Sequence, residues 1–210
     1  MKKLILLCCL ANALYCSAQI KAVTESGDEV ILYDNKTWDY SNAEVKEEKE
    51  IKTNSATFSK SKDASFFLKS KTVTDLGIYL NPKKWSFKKS VSDAESEYTF
   101  ELKGKDAYGM IITERIEVPL NTLKGLAIDN AKSIAPDIKV VMEEYRMVNG
   151  KKVFCMQMNG TTQGVKFSYF GYYYAYENGT IQFITYTSQS LLNEYKPDME
   201  ELLNGFTINE

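Results

Sequence analysis

The chain has 210 residues, 44% of them apolar, and its 26 lysines and arginines and 28 aspartates and glutamates leave a net charge of −2. This balance gives no reason to expect a nucleic acid partner. The chain contains no histidine, which excludes histidine triads, histidine general bases and histidine-ligated metals. Carboxylates, lysines, tyrosines and cysteine remain as catalysts, but the loss of histidine chemistry favours a protein that is not an enzyme and uses no cofactor or metal.

Residues 1–18 have the pattern of a secretory signal peptide. Lys2 and Lys3 form its charged start, residues 4–14 form its apolar core, and it ends in the small residue Ala18. The apolar stretch is shorter than the roughly 20 residues that cross a bilayer. We therefore predict cleavage after Ala18, export to the periplasm or the cell exterior with outer-membrane association as one option, and no transmembrane segment in the mature chain.

Three of the four cysteines, Cys8, Cys9 and Cys16, lie in this segment, so the mature chain keeps Cys155 and forms no internal disulfide. Lipid attachment to Cys16 is an alternative, although the bulky Tyr15 before it suits lipoprotein processing poorly. Removing the segment leaves 24 of the 26 basic residues against 28 acidic ones, a net charge of −4. The mature fold must therefore be stabilised by a hydrophobic core.

Residues 19–41 alternate β-prone runs with turn residues and predict a small β-meander, with strands at 20–25, 29–33 and 37–40. The segment resembles the short β-meander near the mature N-terminus of various secreted bacterial proteins, in which an Asp-Gly-Thr-Trp turn is usual. In this chain Lys36 takes the place of that glycine. Three strands of this length are marginally stable alone, so we expect them to pack on the main domain or on another chain.

The apolar pattern disappears from residue 42 to residue 64, where the sequence becomes charged, small and polar. Such a composition buries too little surface to offset the entropy lost on ordering. We predict a flexible linker over 42–64, followed by one folded domain over 65–210.

The domain consists of amphipathic strands with two helical regions. In 97–103, for example, three apolar residues alternate with polar ones, as in a strand with one buried face. Asn149-Gly150 is the strongest hairpin signal, because both turn positions favour positive φ. Strands are predicted at 77–80, 85–88, 97–103, 107–118, 138–148, 151–159, 164–176, 180–187 and 206–208, and helical regions at 120–135 and 191–203, the latter interrupted at Pro197.

This order of elements, with GIYLNPKKWSF as a strand leading into Pro82 and Trp85 and a last helix running into LLNGFTI, resembles the PsbP-like superfamily over about residues 75–208. That group includes the extrinsic subunit of the oxygen-evolving complex and bacterial periplasmic proteins of the DcrB type. The resemblance implies an α+β fold, an α/β/α sandwich on a mainly antiparallel sheet. It also implies a protein that binds partners rather than catalyses a reaction, and it carries over no catalytic residue.

The densest unusual feature is KFSYFGYYYAY at residues 166–176. The period of two places aromatic rings on both faces of this strand. One interpretation is a central strand covered by a layer on each side. The other is a ligand or partner surface of stacked tyrosines, formed by Tyr169, Tyr172, Tyr173 and Tyr174.

Lysines are concentrated between Lys60 and Lys89, where eight lysines against Asp63 and Asp75 give a local charge of +6. One interpretation is a solvated face. The alternative is a patch that binds an anionic partner or the outer-envelope surface. Its candidate residues are Lys83, Lys84, Lys88 and Lys89.

The two arginines, Arg115 and Arg146, lie beside carboxylates in predicted strands, which is typical of structural ion pairs. Cys155 shares a strand face with Val153 and has no histidine to activate it, so we expect a buried, inert thiol.

These observations predict a secreted or periplasmic, non-enzymatic domain that binds a protein partner or an envelope component. A small-ligand-binding protein that uses the tyrosine-rich strand is the first alternative, and a carboxylate-dependent hydrolase is a less favoured one.

Overall fold

The structure is a computed structural model that describes residues 20–24, 29–33, 36–40, 50–91 and 96–209. The predicted signal peptide lies outside these residues. The chain divides into two compact units, Met1–Glu50 and Ile51–Glu210. The boundary between the units therefore falls inside the linker predicted from composition.

The first unit contains an antiparallel meander in which the central strand pairs with both neighbours. Its strands lie within two residues of the predicted positions. Lys36, which replaces the usual glycine, has a φ of 67°, and its backbone N–H donates to the carbonyl of Tyr33 at 3.0 Å. The turn thus keeps the left-handed backbone that glycine adopts most easily. The strands are β1 (Ile20–Val23), β2 (Glu29–Leu32) and β3 (Trp38–Tyr40).

The second unit contains all the other strands and both helices of the described chain. Its strands are β4 (Thr53–Phe58), β5 (Phe66–Lys69), β6 (Leu76–Leu80), β7 (Trp85–Lys89), β8 (Tyr98–Leu102), β9 (Ala107–Glu114), β10 (Lys139–Val148), β11 (Lys151–Thr162), β12 (Val165–Tyr176), β13 (Gly179–Ser188) and β14 (Phe206–Ile208). Its helices are α1 (Leu120–Ile134) and α2 (Leu192–Leu203).

The strands of this unit form an eight-stranded sheet in the order β4-β10-β11-β12-β13-β9-β8-β7 and a three-stranded sheet in the order β14-β6-β5. Within the eight-stranded sheet, the β4–β10 pair is parallel and the remaining pairs are antiparallel. Helix α1 packs on β12 from one face, whereas α2 packs on β12 and β13 from the other face and also contacts β6. The architecture is the α+β sandwich expected from the sequence, with the small sheet added to the α2 layer.

Side-chain alternation along the strands creates a core on each face of the large sheet. In β8, Tyr98, Phe100 and Leu102 are buried and the residues between them are exposed. Each buried aromatic or branched side chain contributes about 1.5–3 kcal/mol relative to an exposed one. The largest buried side chains on the α2 face are Trp85, Phe170, Tyr172, Phe183 and Phe206, and those on the α1 face are Phe154, Met156 and Tyr173.

The two helices differ in the size of the side chains on their buried faces. Helix α1 buries Leu123, Ala127 and Ala131, and these mostly small residues at a spacing of four let the helix approach the sheet closely. Helix α2 is continuous through Pro197, which corrects the predicted interruption. The proline is exposed, so its ring costs one backbone hydrogen bond without disturbing the buried stripe.

The linker predicted at 42–64 is wrong over residues 53–58, which form β4 at one edge of the large sheet. Residues 42–49 lie outside the described residues. Backbone bonds hold β4: Tyr145 N–H donates to the Lys52 carbonyl at 2.9 Å, and Asn149 N–H to the Phe58 carbonyl at 3.0 Å. An exposed edge strand fixed by such bonds needs no apolar alternation, which is why composition did not reveal it.

Arg146 is buried on the α2 face and joins three parts of the unit. Its Nε donates to Glu144 at 2.6 Å, and its Nη1 donates to Glu200 of α2 at 3.0 Å. The same Nη1 donates to the Tyr172 hydroxyl at 3.3 Å, and the guanidinium lies 4.3 Å from the centroid of the Phe58 ring. This cation therefore links β10 to α2, β12 and β4.

Arg115 behaves differently from the expected ion pair. Its Nε and Nη2 donate to the backbone carbonyls of Thr72 at 2.6 Å and Lys71 at 3.3 Å. Arg115 thus holds the loop between β5 and β6 in place. The ion pairs with carboxylates that were expected for both arginines are found for Arg146.

We predict that a chain beginning at Ile51 unfolds at nearly the same temperature as the second unit of the full chain. A chain beginning at residue 65, the boundary inferred from composition, should be less stable by on the order of 2–3 kcal/mol, because it lacks the β4 backbone bonds and the Phe58 ring over Arg146. Thermal unfolding followed by circular dichroism measures both. Equal midpoints for the two truncations would show that β4 contributes nothing.

We further predict that Arg146→Ala lowers the free energy of unfolding by about 3–5 kcal/mol, since it leaves two carboxylates and a buried hydroxyl without their cation. Arg115→Ala is the matched control and should cost about 1 kcal/mol, because its exposed guanidinium bonds only to backbone carbonyls. Urea denaturation measures both losses. Similar losses in the two variants would contradict a special role for the buried arginine.

Candidate functional site

The structure separates the four tyrosines proposed as one surface. Tyr172 and Tyr173 are both buried, on opposite faces of β12. Tyr174 lies on the α2 face, where its ring is 5.5 Å from that of Phe206, and Tyr169 lies on the α1 face. The strand is therefore the covered central strand of the first interpretation, and these four tyrosines do not form one common binding surface.

The polar ends of the two buried tyrosines differ in their surroundings. The Tyr172 hydroxyl donates to Asn204 Oδ1 at 2.7 Å, whereas the Tyr173 hydroxyl has no hydrogen-bond partner among the described residues. Burial raises the pKa of both hydroxyls. Neither ring is available to a partner at the protein surface.

Cys155 is fully buried on the same face as Val153. Burial raises the pKa of its thiol to about 12. Because the thiolate is the reactive form, this thiol is inert at neutral pH.

A different set of tyrosines does line up, across three neighbouring strands on the α1 face. Tyr169 of β12 is paired in register with Tyr186 of β13, and Tyr186 with Tyr108 of β9. The Tyr169 and Tyr186 rings meet edge to face at 5.9 Å, and the Tyr186 and Tyr108 rings stack at 5.5 Å. We call these three residues the tyrosine row.

The tyrosine row lies at the border of the sheet area that helix α1 covers. Helix α1 packs on β12 at one end of the row. At the other end, Glu101 of β8 is in register with Tyr108 and is exposed. The three tyrosines are half-buried, as are Met110 and Ile112 of β9 beside them. The row therefore crosses from the helix-covered part of the face to an exposed part.

Charge near the row is acidic at the Tyr108 end. The Asp106 carboxylate raises the pKa of the Tyr108 hydroxyl, with smaller contributions from burial and from Glu101. Burial is the main cause of the raised pKa of Tyr169 and Tyr186. The row thus combines stacked aromatic rings with two nearby carboxylates.

Sequence reasoning found Tyr169 and missed Tyr108 and Tyr186. Both belong to predicted strands with the right alternation, so each could be placed on a strand face. Their proximity depends on β13 lying between β12 and β9, and strand order across a gap of some seventy residues is not readable from the alternation.

The four candidate lysines are also dispersed. Lys84 Nζ donates to Asp198 at 2.8 Å and to Glu201 of α2, so its charge is neutralised within the fold. Lys88 and Lys89 are successive residues of the edge strand β7 and point to opposite faces, and Lys83 is exposed in the turn before it. The structure does not bring these four into one cationic patch.

Several carboxylates that could serve catalysis are used in structural bonds. Asp75 accepts hydrogen bonds from the Tyr176 hydroxyl at 2.6 Å and from Asn178 at 3.1 Å. Glu97 accepts from Ser70 Oγ at 2.6 Å and from Thr113 Oγ1 at 2.7 Å. Within the described ranges, no cluster of acidic and cysteine side chains suits a metal ion, and neither described helix has the length and apolar character of a membrane span.

We predict that Lys84→Gln costs about 1 kcal/mol or less at neutral pH, whereas Lys83→Gln, its neighbour in the same turn, changes stability very little. The Lys84 side chain is 43% exposed, so solvent screens the pair. The hydrogen bond to Asp198 and then that to Glu201 raise the pKa of Lys84. Burial opposes the shift at Asp198, but the bonds from Lys84 and Lys105 lower its pKa overall.

The sign of these shifts sets the pH dependence. The lowered pKa of Asp198 gives stability above its usual value of 3.8, which is lost as pH falls through the folded pKa. The raised pKa of Lys84 gives stability below its usual 10.5, which is lost at higher pH. The free energies of unfolding of the parent and Lys84→Gln should therefore differ most between about pH 4 and pH 10. They should converge as pH falls through the folded pKa of Asp198 or rises through that of Lys84. A difference independent of pH would contradict the pairing.

Sequence comparison identifies no relatives: no family model matches the chain, and no curated protein matches it significantly. Among solved structures, the chain is similar to the PsbP protein (CyanoP) of Synechocystis sp. PCC 6803, with a TM-score of 0.51 and 10% identity over 68% of this chain and 91% of that one.

Two further structures are more distant. A Pseudomonas aeruginosa protein of unknown function has a TM-score of 0.44 and 10% identity over 60% of this chain and 83% of that one. A Bacteroides thetaiotaomicron protein has a TM-score of 0.42 and 10% identity over 69% of this chain and 48% of that one. The likeness to the Synechocystis protein concerns fold alone, and at that level it confirms the PsbP-like fold expected from the order of strands and helices.

Proposed function

We propose that this protein is an exported, non-enzymatic binding domain whose tyrosine row contacts a protein partner. The observation that carries the proposal is the alignment of Tyr169, Tyr186 and Tyr108 from three strands on one half-buried face. Tyrosine is enriched at protein interfaces, because its ring supplies a large contact area at low conformational cost and its hydroxyl still finds hydrogen bonds. Export is part of the proposal and rests on the leader pattern of residues 1–18.

The chemistry beside the row indicates what the partner presents. Stacked tyrosine faces attract cationic side chains, and arginine more than lysine. Glu101 and Asp106 lie at the Tyr108 end and would pair with the same guanidinium. Met110 and Ile112 add an apolar border. The row therefore suits a partner surface with an arginine next to apolar side chains.

Binding is favoured over catalysis and over small-ligand capture because residues that those two functions would use are buried or hydrogen-bonded within the fold. Cys155 is buried with a raised pKa, and Asp75 and Glu97 are occupied by hydrogen bonds within the fold. Of the four tyrosines that the small-ligand alternative uses, two, Tyr172 and Tyr173, have side chains that are part of the core.

The proposal predicts site-specific crosslinking in intact cells. With the photoreactive residue p-benzoylphenylalanine in place of Tyr108 or Tyr186, the protein should form an adduct of one common mass. The same replacement at Leu126, which is exposed on α1, is the matched control and should not form that adduct. Electrophoresis and mass spectrometry measure the adducts.

A charge reversal makes the test specific for the partner's chemistry. Glu101→Lys should weaken the crosslink from position 186 by about tenfold, because it replaces an attractive carboxylate with a repulsive ammonium at the end of the row. Glu177→Lys, in the exposed turn between β12 and β13, changes the net charge equally and should have no effect. Equal adducts from positions 126 and 186, or equal losses from the two reversals, would refute the tyrosine row as the binding surface.

A further inference from the structure

The open edges of the two sheets of the second unit lie side by side. Strand β5 ends the order of the small sheet, and β7 ends that of the large sheet. The Phe66 ring of β5 is 5.2 Å from the Phe87 ring of β7, and the Tyr98 hydroxyl of β8 donates to the Lys69 carbonyl at 3.2 Å. The first contact joins the two edges, and the second joins β5 to the strand next to β7.

Two phenylalanines at this junction are exposed yet held in place. Phe66 is 41% exposed and Phe67 is 39% exposed. The Phe67 ring lies 4.8 Å from the Tyr79 ring and directly over Gly77, where an added Cβ would come within 2.2 Å of the ring. The missing side chain at Gly77 therefore lets Phe67 lie flat on the outer face of the small sheet.

Exposed lysines lie on the same two edge strands and next to them. Lys60 Nζ lies 4.5 Å from the centroid of the Tyr79 ring. The others belong to the two edge strands or follow them directly, and all are exposed. We call this region the lysine seam, which consists of Phe66, Phe67, Lys60, Lys69, Lys71 and Lys89; Lys88 points to the other face of β7 and is not part of it.

The charges of the seam are crowded rather than paired. Contact with the Lys71 ammonium lowers the pKa of Lys89. Among residues 50–91 and 96–209, the carboxylate beside both lysines is Glu97. Its oxygens accept hydrogen bonds from Ser70 Oγ, Thr113 Oγ1 and, at 2.5 Å, the backbone N–H of Lys71. Among the described residues, the ion pairs include none of the four lysines of the seam.

Lysines on sheet edges commonly prevent edge-to-edge pairing of strands. That role accounts for the ammonium groups but not for two large exposed rings between them. Phenylalanine beside lysine is instead the combination that binds an anionic bilayer, because the ring enters the boundary between headgroups and acyl chains while the ammonium groups contact the headgroups. Such a surface accepts the rings without a complementary pocket.

We propose that the lysine seam docks the protein on an anionic membrane surface. This inference goes beyond the tyrosine row, which lies on other residues, so the two can fail independently. The lysines attract the surface over a distance limited by salt to about 8 Å at physiological ionic strength, and the two rings add apolar burial once contact is made.

The test is sedimentation with vesicles of phosphatidylcholine alone and of phosphatidylcholine mixed with phosphatidylglycerol. The full chain and the form that starts at Gln19 are measured in parallel, so that any contribution of the leader is seen. Both forms should bind the mixed vesicles at low salt and lose binding in high salt. Each lysine near an anionic surface contributes about fivefold to binding, so the triple variant K69Q/K71Q/K89Q should bind on the order of a hundredfold more weakly.

The matched control is K139Q/K152Q/K166Q, which removes the same charge from exposed positions on β10, β11 and β12. It should weaken binding by less than about threefold, the effect of net charge alone. Phe66→Ser should weaken binding by several-fold, and Phe66→Trp should bind at least as well, because tryptophan prefers the membrane interface.

Equal binding to both kinds of vesicle would overturn the proposal, as would equal losses in the two triple variants. Absence of vesicle binding by the parent would also overturn it and leave an acidic protein as the partner of the seam. The Trp variant decides the contribution of the ring even if the Ser variant does not fold. None of these outcomes affects the crosslinks at positions 108 and 186.

Discussion

The second unit depends on keeping one cation in its interior. An isolated charge in a hydrophobic core costs far more than any single contact returns, so Arg146 must be surrounded by acceptors and rings supplied from elsewhere in the chain. Glu144 comes from its own strand, Glu200 from α2 and Tyr172 from the central strand. In the observed arrangement, the helix and the strands together satisfy this guanidinium.

Asn149, which follows β10, ties further distant parts of the chain together, including the last strand. Its Nδ2 donates to the carbonyls of Asn204 at 2.8 Å and Phe206 at 2.7 Å, and its Oδ1 accepts from the Lys60 N–H at 3.0 Å. The Asn149-Gly150 hairpin was readable from sequence because both residues take positive φ. Its second role, tying β4 and β14 to the same corner, depends on residues that are distant in sequence.

The difference between local signals and contacts between distant residues explains what sequence reasoning found and what it missed. Strands with one buried face, such as β8, can be recognised from the alternation of apolar and polar residues. Helix α1 can be recognised from apolar residues at every third or fourth position. Strand β4 carries little apolar side-chain pattern, so composition placed it in a linker. Lys84 read as a free surface charge because its partners, Asp198 and Glu201, lie more than a hundred residues further along the chain.

The candidate site shows this limit most clearly. Tyr169 stood out because it belongs to a run of aromatic residues, but the rings that it contacts across strands include Tyr186, which belongs to β13. Conversely, Tyr172 and Tyr173 stood out for the same reason and are core residues. Local aromatic density therefore identified the strand, and strand order decided which of its rings belongs to the tyrosine row.

The burial of Cys155 has a practical consequence. In the proposed mature chain, which starts at Gln19, it is the one thiol, and it lies beneath α2 in the same core as Met199 and Phe206. A thiol reagent can reach such a sulfur only when the packing around it opens, so its labelling rate measures how often that core opens. In the proposed mature chain, this thiol thus reports conformational fluctuations of the core without any engineered residue.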